Sequence, residues 1–192
     1  MFRAKRRTVF TVTAVVAVLL AGALAVTFLT QGKGNAAGNS DGTVEYQPGH
    51  RPLAPDFTAT SLSGATISLS SYRGKTVVLN FWGSWCPPCR AEAPTLAVLS
   101  KQYNSKGVAF LGDDVGDTPA NALAFTHSVG TTYPSINDPS YLVVQKFSQV
   151  APVSDTPTTV VIDKTGHVAG MVLGAVSYGE MTTLLRNAAV TQ

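Results

Sequence analysis

The sequence predicts an α/β fold in which helices cover both faces of a mixed β-sheet. Residues 76–81 and 108–112 are short, largely apolar runs, which is typical of buried strands. A segment with helical character follows each run, at residues 88–103 and 117–130, and a hairpin pattern occupies residues 158–173. Buried strands that alternate with helices favour a sheet with helices on both sides.

The chain divides into four predicted parts: a basic flank at 1–7, an apolar segment at 8–31, a linker at 32–52 and a folded domain at 53–192. Residues 8–31 carry no charge and have about the length of a helix that crosses a bilayer. Four of the 14 Lys and Arg residues precede residue 8, so the positive-inside rule places the N-terminus in the cytoplasm and the domain outside it. A cleaved signal peptide is the alternative, because Ala23-Leu24-Ala25 is a small-x-small site. The apolar run continues past that site, which favours an uncleaved anchor in the cell membrane.

Residues 32–52 are rich in Gly, Asn, Ala, Ser and Pro, which predicts a flexible tether. The formal net charge of +3 reflects the N-terminal flank, since residues from 30 onward hold ten Lys or Arg and eleven Asp or Glu. The folded part is therefore nearly neutral, and nucleic acid is not an expected partner.

The remaining elements follow from turn residues and from apolar periodicity. A hairpin is predicted at 56–60 and 66–69 around Ser63-Gly64, and a turn or short helical piece at 70–74. Asp117-Thr118-Pro119 has the capping residue and proline of a helix start. The predicted elements after that helix are an extended run at 134–138, a short helix at 140–147, a hairpin at 158–162 and 167–173, and a final helix at 177–189.

The only two cysteines, Cys86 and Cys89, lie between a predicted strand and a predicted helix. Two thiols at this spacing can close into a disulfide and open again, which indicates a redox centre. If Cys86 caps the helix, the helix dipole favours its thiolate. Pro87 and Pro88 have no N–H, so the Cys89 amide is the donor most available to Cys86. We therefore expect a weakly lowered Cys86 pKa and a reducing pair, with Cys89 the less exposed, resolving thiol.

Two other interpretations of the cysteine pair are weaker. A structural disulfide that closes so short a loop removes little chain entropy. Zinc would need further ligands, and His50, His127 and His167 show no ligand spacing, so neither a metal nor a cofactor is expected.

The segment Trp85-Cys86-Pro87-Pro88-Cys89, with Pro94 in the following helix and Thr156-Pro157-Thr158 further along, resembles the thioredoxin superfamily. Residues 54–57, 69–74 and 80–86 resemble the membrane-tethered TlpA/ResA-like thiol–disulfide oxidoreductases. The resemblance covers about residues 53–190. It implies a thioredoxin fold, a central mixed sheet flanked by helices, with an N-terminal β-hairpin extension and one preceding transmembrane helix.

The resemblance also implies roles for individual residues. Cys86 would attack and Cys89 would resolve. Substrate would dock by main-chain hydrogen bonds beside a cis-proline, and the residues implied in that groove are Trp85, Pro87, Pro88, Thr156 and Pro157.

Glu92 matches the glutamate that ResA-like proteins place near the cysteines, where a raised pKa would help to manage protons. The alternative is a solvated glutamate in the first turns of a helix, where the dipole favours it. Asn80 stands where thioredoxin has a buried aspartate, so the proton acceptor would be Glu92 or water. Asp113 and Asp114 end a predicted strand near the carboxyl edge of the sheet, where such folds bind ligands, but a solvated loop is the expected explanation.

The expected function is a monomeric, membrane-anchored reductase of disulfides in exported proteins, supplied with electrons by a membrane thiol donor. By resemblance, apocytochrome c before haem attachment is the leading substrate. A disulfide-forming oxidase of the same fold is the alternative. A thiol peroxidase would need Thr or Ser three residues before its reactive cysteine, where Gly83 stands, and a binding module with an inert disulfide is the non-enzymatic possibility.

Overall fold

The structure, a computed structural model, describes residues 36–38, 42–151, 153 and 155–189. The predicted membrane anchor at 8–31 lies outside these residues. Within them, the helices are all too short or too polar to cross a membrane.

The described residues contain nine strands and four α-helices. The strands are β1 (Ala36–Gly38), β2 (Thr43–Tyr46), β3 (Thr58–Thr60), β4 (Thr66–Ser68), β5 (Thr76–Trp82), β6 (Val108–Val115), β7 (Ser135–Asp138), β8 (Thr158–Ile162) and β9 (Val168–Leu173). The α-helices are α1 (Pro87–Tyr103), α2 (Pro119–Val129), α3 (Leu142–Phe147) and α4 (Tyr178–Ala189). Short 3₁₀ turns cover Leu69–Tyr72 and Asn104–Lys106.

The strands form one mixed sheet in the order β1-β2-β9-β8-β5-β6-β7, with β3 and β4 paired apart from it. Strand β5 lies in the interior of the sheet, parallel to β6 and antiparallel to β8, and all of its residues are buried. Its side chains alternate between two apolar layers, one that contains Phe81 and Phe147 and one that contains Val78 and Leu184. The predicted mixed sheet with a buried central strand is confirmed.

The two predicted hairpins are present. Strands β3 and β4 pair antiparallel across Ser63-Gly64, and β8 pairs antiparallel with β9. Gly64 has φ 84°, a left-handed conformation that glycine adopts without steric cost. An isolated bridge between Ser61 and Ile136 joins the first hairpin to β7 at the sheet edge.

The flexible linker predicted for 32–52 is wrong at residues 36–38, which form β1, and from residue 43 onward. Strand β2 pairs antiparallel with β9, so that Val44 faces Met171 across the pair. Arg51 is buried, and its guanidinium donates to Asp163 Oδ2 at 2.9 Å and to Asn187 O at 2.8 Å. The segment has few apolar residues, so its apolar pattern does not predict a strand. Backbone pairing and one buried ion pair hold it in place instead.

Asp113 and Asp114 are also placed differently from the prediction. Strand β6 continues through both residues because β7 pairs with it on one side and β5 on the other, with Asp113 opposite Phe81 and Ile136. Both aspartates are 0 % exposed instead of lying in a solvated loop. Among the described residues, none of their four carboxylate oxygens has a hydrogen-bond partner.

Candidate active site

Cys86 and Cys89 form a disulfide where β5 gives way to α1. Cys86 is the N-cap of α1 with extended backbone angles (φ −92°, ψ 111°), and its Sγ accepts the Cys89 N–H at 3.2 Å. Pro87 and Pro88 fill the first two helical positions, where no N–H is needed. The predicted cap and its single amide donor are confirmed.

The two cysteines are equally buried in this oxidised form. Cys86 and Cys89 are each 2 % exposed and pack against Trp82 and Phe125. The expected difference in exposure is therefore absent. What distinguishes Cys86 is its neighbour, because its Sγ lies 3.5 Å from the carbonyl oxygen of Thr156.

The loop before β8 faces the disulfide, as predicted. The Thr156–Pro157 peptide bond is cis, Thr156 is partly exposed and Pro157 is buried. On the other side of Cys86, Trp85 is 54 % exposed, and Pro87 and Pro88 are exposed at the start of α1. The disulfide thus lies between a partly exposed backbone loop and an exposed rim of ring side chains.

Glu92 is buried, with 3 % of its surface exposed. Its Oε1 accepts from Asn80 Nδ2 at 2.8 Å, and its Oε2 accepts from Val176 N at 2.7 Å. Burial raises its pKa to about 7 and outweighs the two hydrogen bonds, which act to lower it. The alternative of a solvated glutamate is excluded.

Two routes connect Glu92 to the chain around Pro157, where the cis-proline loop enters β8. Asn80 Nδ2 also donates to Thr159 Oγ1 at 3.0 Å, two residues after Pro157. In the turn before α4, Gly174 N donates to Pro157 O at 2.9 Å, and Val176 of the same turn donates to Glu92.

Sequence reasoning missed these partners because they come from β8 and from the turn after β9, far along the chain. The one signal in the sequence was Asn80, which stands where thioredoxin has a buried aspartate. An amide at that position can donate to a carboxylate, whereas a second carboxylate would repel it.

Tyr133 is a further neighbour of Glu92 that the sequence did not reveal. The centre of its ring lies 5.9 Å from that of Phe110. Burial is the main cause that raises the pKa of Tyr133 above its ordinary value, and the nearby Glu92 carboxylate is the second. This tyrosine therefore stays neutral and can hydrogen-bond without adding charge.

Metal chemistry has no support in the described part of the chain. No group of three or more His, Cys, Asp or Glu side chains there could hold a metal ion. The site as described is a dithiol–disulfide pair with a buried carboxyl group one helical turn beyond Cys89.

The chain matches the AhpC/TSA family over residues 51–171. Over 124 residues it is 39% identical to the thiol-disulfide oxidoreductase ResA of Geobacillus kaustophilus, which covers 65% of this chain and 69% of that protein. A secreted thiol-disulfide isomerase from Corynebacterium glutamicum has a similar structure, with TM-score 0.73 and 30% identity over 80% of this chain and 96% of that one. A DsbF homologue from Corynebacterium diphtheriae gives TM-score 0.71 and 30% identity over 78% of this chain and 95% of that one. With its thioredoxin-like fold and its Cys86–Cys89 pair, the chain belongs to the AhpC/TSA family and is a ResA-like thiol–disulfide oxidoreductase.

Proposed function

We propose that this protein reduces disulfides of exported proteins outside the cytoplasm, with Cys86 as the attacking thiol and Cys89 as the resolving thiol. One observation carries the proposal: Cys86 caps α1 while its sulfur faces the carbonyl of Thr156, beside a cis-proline. A substrate strand that pairs with the Thr156–Pro157 backbone would bring its own disulfide to Cys86.

The hydrogen-bond donors around Cys86 support the reducing direction. The Cys89 N–H reaches its sulfur, while Pro87 and Pro88 have no N–H to offer. A strong oxidant owes its power to a stabilised reduced form. A thiolate with fewer donors is less stabilised, so the dithiol gives up its electrons more readily.

The reaction exchanges one disulfide for another. The Cys86 thiolate attacks one sulfur of the substrate disulfide, that S–S bond breaks, and the other substrate sulfur leaves as a thiolate and takes up a proton. The Cys89 thiolate then attacks Cys86 Sγ and releases the second substrate thiol. Two electrons pass to the substrate, and the Cys86–Cys89 disulfide forms.

Glu92 is suited to handle the proton of the resolving step. It follows Cys89 by one helical turn, and a pKa of about 7 lets it take up and release a proton near neutrality. We propose that it receives the Cys89 proton as that thiol is activated.

The substrates are disulfide-containing proteins, as the ResA-like relatives imply. We propose apocytochrome c as the leading substrate, a membrane dithiol as the electron donor, and a monomer held by a single-pass anchor at residues 8–31 with its N-terminus in the cytoplasm. The uncharged 8–31 segment after a basic flank supports this location, as does the similarity to a C. glutamicum protein described as secreted.

A trapping experiment tests the proposal. Full-length Cys89→Ala protein should accumulate mixed disulfides on Cys86 with exported proteins, and Cys86→Ala, the matched control, should accumulate none. The redox potential of the wild-type pair decides the direction. We expect a value near that of thioredoxin, about −270 mV, whereas a value near that of DsbA, about −120 mV, would establish the oxidase. We expect no peroxide consumption, because Gly83 supplies no hydroxyl.

A further inference from the structure

The loop that carries Cys86, residues 83–86, is held by charged side chains outside the Cys-Pro-Pro-Cys motif. Asp117, in the connection from β6 to α2, accepts the Ser84 N–H on its Oδ2 at 2.9 Å. From α1, the Arg90 guanidinium donates to the Ser84 carbonyl at 3.2 Å. Both main-chain polar groups of Ser84 are thus bonded to side chains of opposite charge.

Hydrogen bonds keep the Asp117 carboxylate ionised. Its Oδ1 accepts the Thr118 N–H at 2.7 Å. Hydrogen bonds from Ser84, Thr118 and Asn121 hold the pKa of Asp117 below its usual value, although partial burial acts to raise it. The acceptor of the Ser84 N–H is therefore charged at neutral pH, and hydrogen bonds to charged groups are stronger than neutral ones.

One further contact fixes the same segment directly, and a second fixes Arg90, its partner in α1. The Trp85 indole Nε1 donates to Val115 O at 3.2 Å, at the end of β6. The Arg90 guanidinium carbon lies 5.2 Å from the centre of the Phe125 ring on α2. The two residues before Cys86 are therefore bonded to elements that do not belong to the motif.

These contacts bear directly on the orientation of Cys86. Its own N–H donates to Gly83 O at 3.1 Å, so the turn at 83–86 sets where the Cys86 side chain points. The Cys86 sulfur accepts the Cys89 N–H, and a small rotation of the turn would break that contact. We propose that Asp117 is a positioning residue for Cys86: it holds the 83–86 turn so that the sulfur stays on the Cys89 amide and faces Thr156. The proposal rests on the proposed function in that Cys86 is taken as the attacking thiol.

The sign of a pKa change separates positioning from a simple charge effect. Removal of a nearby negative charge alone would lower the pKa of the Cys86 thiol. Loss of the turn geometry would instead remove the Cys89 amide from the thiolate and raise that pKa. We therefore compare Asp117→Ala with wild type, both in the full-length Cys89→Ala background so that one thiol titrates, and follow thiolate absorbance against pH.

We expect the Cys86 pKa to rise by about half a pH unit or more in Asp117→Ala, since one hydrogen-bond donor to the thiolate is weakened. With Cys89 present, kcat/KM for reduction of a disulfide-bonded peptide should fall about tenfold. The matched control is Asp56→Ala, because Asp56 likewise accepts the N–H of its own successor, Phe57, and of a loop residue, Ser70. Asp56→Ala should lose similar stability and leave the Cys86 pKa unchanged.

A Cys86 pKa that falls or stays the same in Asp117→Ala overturns the proposal, as does an equal rise in Asp56→Ala. If Asp117→Ala does not fold, Asp117→Leu is measured with the same criteria, because leucine is close to aspartate in size and has no acceptor oxygen for the Ser84 N–H. Failure of the proposed function would show separately, as a wild-type protein that reduces no disulfide, and the Cys86 titration would still give its answer.

Discussion

Glu92 combines two opposing influences in one side chain. Both of its oxygens accept N–H hydrogen bonds, which suit the ionised form, while burial favours the neutral form and raises the pKa to about 7. Because this pKa lies near neutral pH, a small change in the surroundings of the carboxyl group alters the fraction that is protonated. A buried carboxyl group of this kind next to a thiol pair is suited to acid–base work.

Glu92→Gln should change how stability depends on pH. The folded-state pKa of about 7 exceeds the ordinary value of 4.5, so the folded protein binds this proton more tightly than the unfolded chain does. The contribution is present at low pH and is lost as pH rises from about 4.5 to 7. Glutamine does not titrate, so the stability of wild type relative to Glu92→Gln should fall across that window and level off above it.

Urea unfolding of both oxidised proteins at a series of pH values measures this difference in unfolding free energy. The other buried carboxyl groups occur in both proteins and cancel in the comparison. A difference that stays constant from pH 4.5 to 8 would contradict the assignment.

Asp113→Asn should stabilise the protein in alkaline solution. Burial, with the nearby Asp138 and Asp114 charges, raises the Asp113 pKa well above its ordinary value, so ionisation costs stability as pH rises. Asparagine has the same shape and cannot ionise. We expect a gain of about 1 kcal/mol or more at pH 8.5, and little gain at pH 4, where aspartate is protonated in the folded state.

Thermal unfolding at the two pH values tests this expectation. The control is Asp155→Asn, because Asp155 is exposed. This substitution should change the melting temperature little at either pH. A lower melting temperature for Asp113→Asn at pH 8.5 would show that the carboxylate has a role that the described contacts do not reveal.

The residues of the candidate site differ in how far the sequence reveals them. The cysteines and Pro157 are marked by residue type and by spacing along the chain. The surroundings of Glu92 are not, because its donors, Asn80 and Val176, come from separate elements. Asp117 was noticed only as a helix-start residue, since its hydrogen bond to Ser84 joins positions 33 residues apart.

At the scale of secondary-structure elements, the segment before β3 is fixed by an ion pair that propensity does not show. Arg51 and Asp163 are buried together, and Asp163 also accepts from the backbone of Thr165 and His167 in the turn between β8 and β9. The Arg51 guanidinium also reaches Asn187 in α4. One side chain therefore joins the entry to the domain, a hairpin turn and the last described helix.

Arg51→Met should lower the free energy of unfolding by about 3 kcal/mol, because it leaves a buried carboxylate without its cation. Arg73→Met is the matched control, since Arg73 donates to Thr165 in the same turn but is exposed. Its loss should cost less than about 1 kcal/mol. Urea unfolding gives both values, and equal losses would contradict the importance of the buried pair.

The elements themselves were predictable where local chemistry decides them. The hairpin turns follow from glycine and polar residues, and α1 and α2 begin at a capping residue followed by proline. Strand β2 escaped prediction because its four residues carry little apolar signal. The end of β6 escaped because two adjacent aspartates rarely continue a buried strand.

At the scale of the whole molecule, the folded domain starts earlier in the chain than the predicted boundary at residue 53. A boundary at residue 53 would cut away β2 and Arg51, which pair with β9 and with Asp163. Strand β1, in contrast, pairs with β2 at the outer edge of the sheet.

Two truncated chains test this boundary. A chain that begins at residue 42 should melt within a few degrees of a chain that begins at residue 32, since it keeps β2 and the buried ion pair. A chain that begins at residue 53 should melt about 5 °C lower or more, because it leaves Asp163 unpaired and exposes β9. Equal melting temperatures would mean that β2 and Arg51 add no stability.

The turn at residues 174–176 has a consequence for any effort to retarget this enzyme. Gly174 N donates to the carbonyl of Pro157, and Val176 N donates to the carboxyl group of Glu92. One three-residue turn thus supports both the cis-proline loop, where we propose that substrate docks, and the buried acid. Replacing this turn in order to accept a different substrate would also change the pKa of Glu92, because the Val176 N–H bonds its carboxyl group. With substrate docked as proposed, a change in this turn alters both the substrate groove and the pKa of Glu92, so a library that varies the turn should be screened for both.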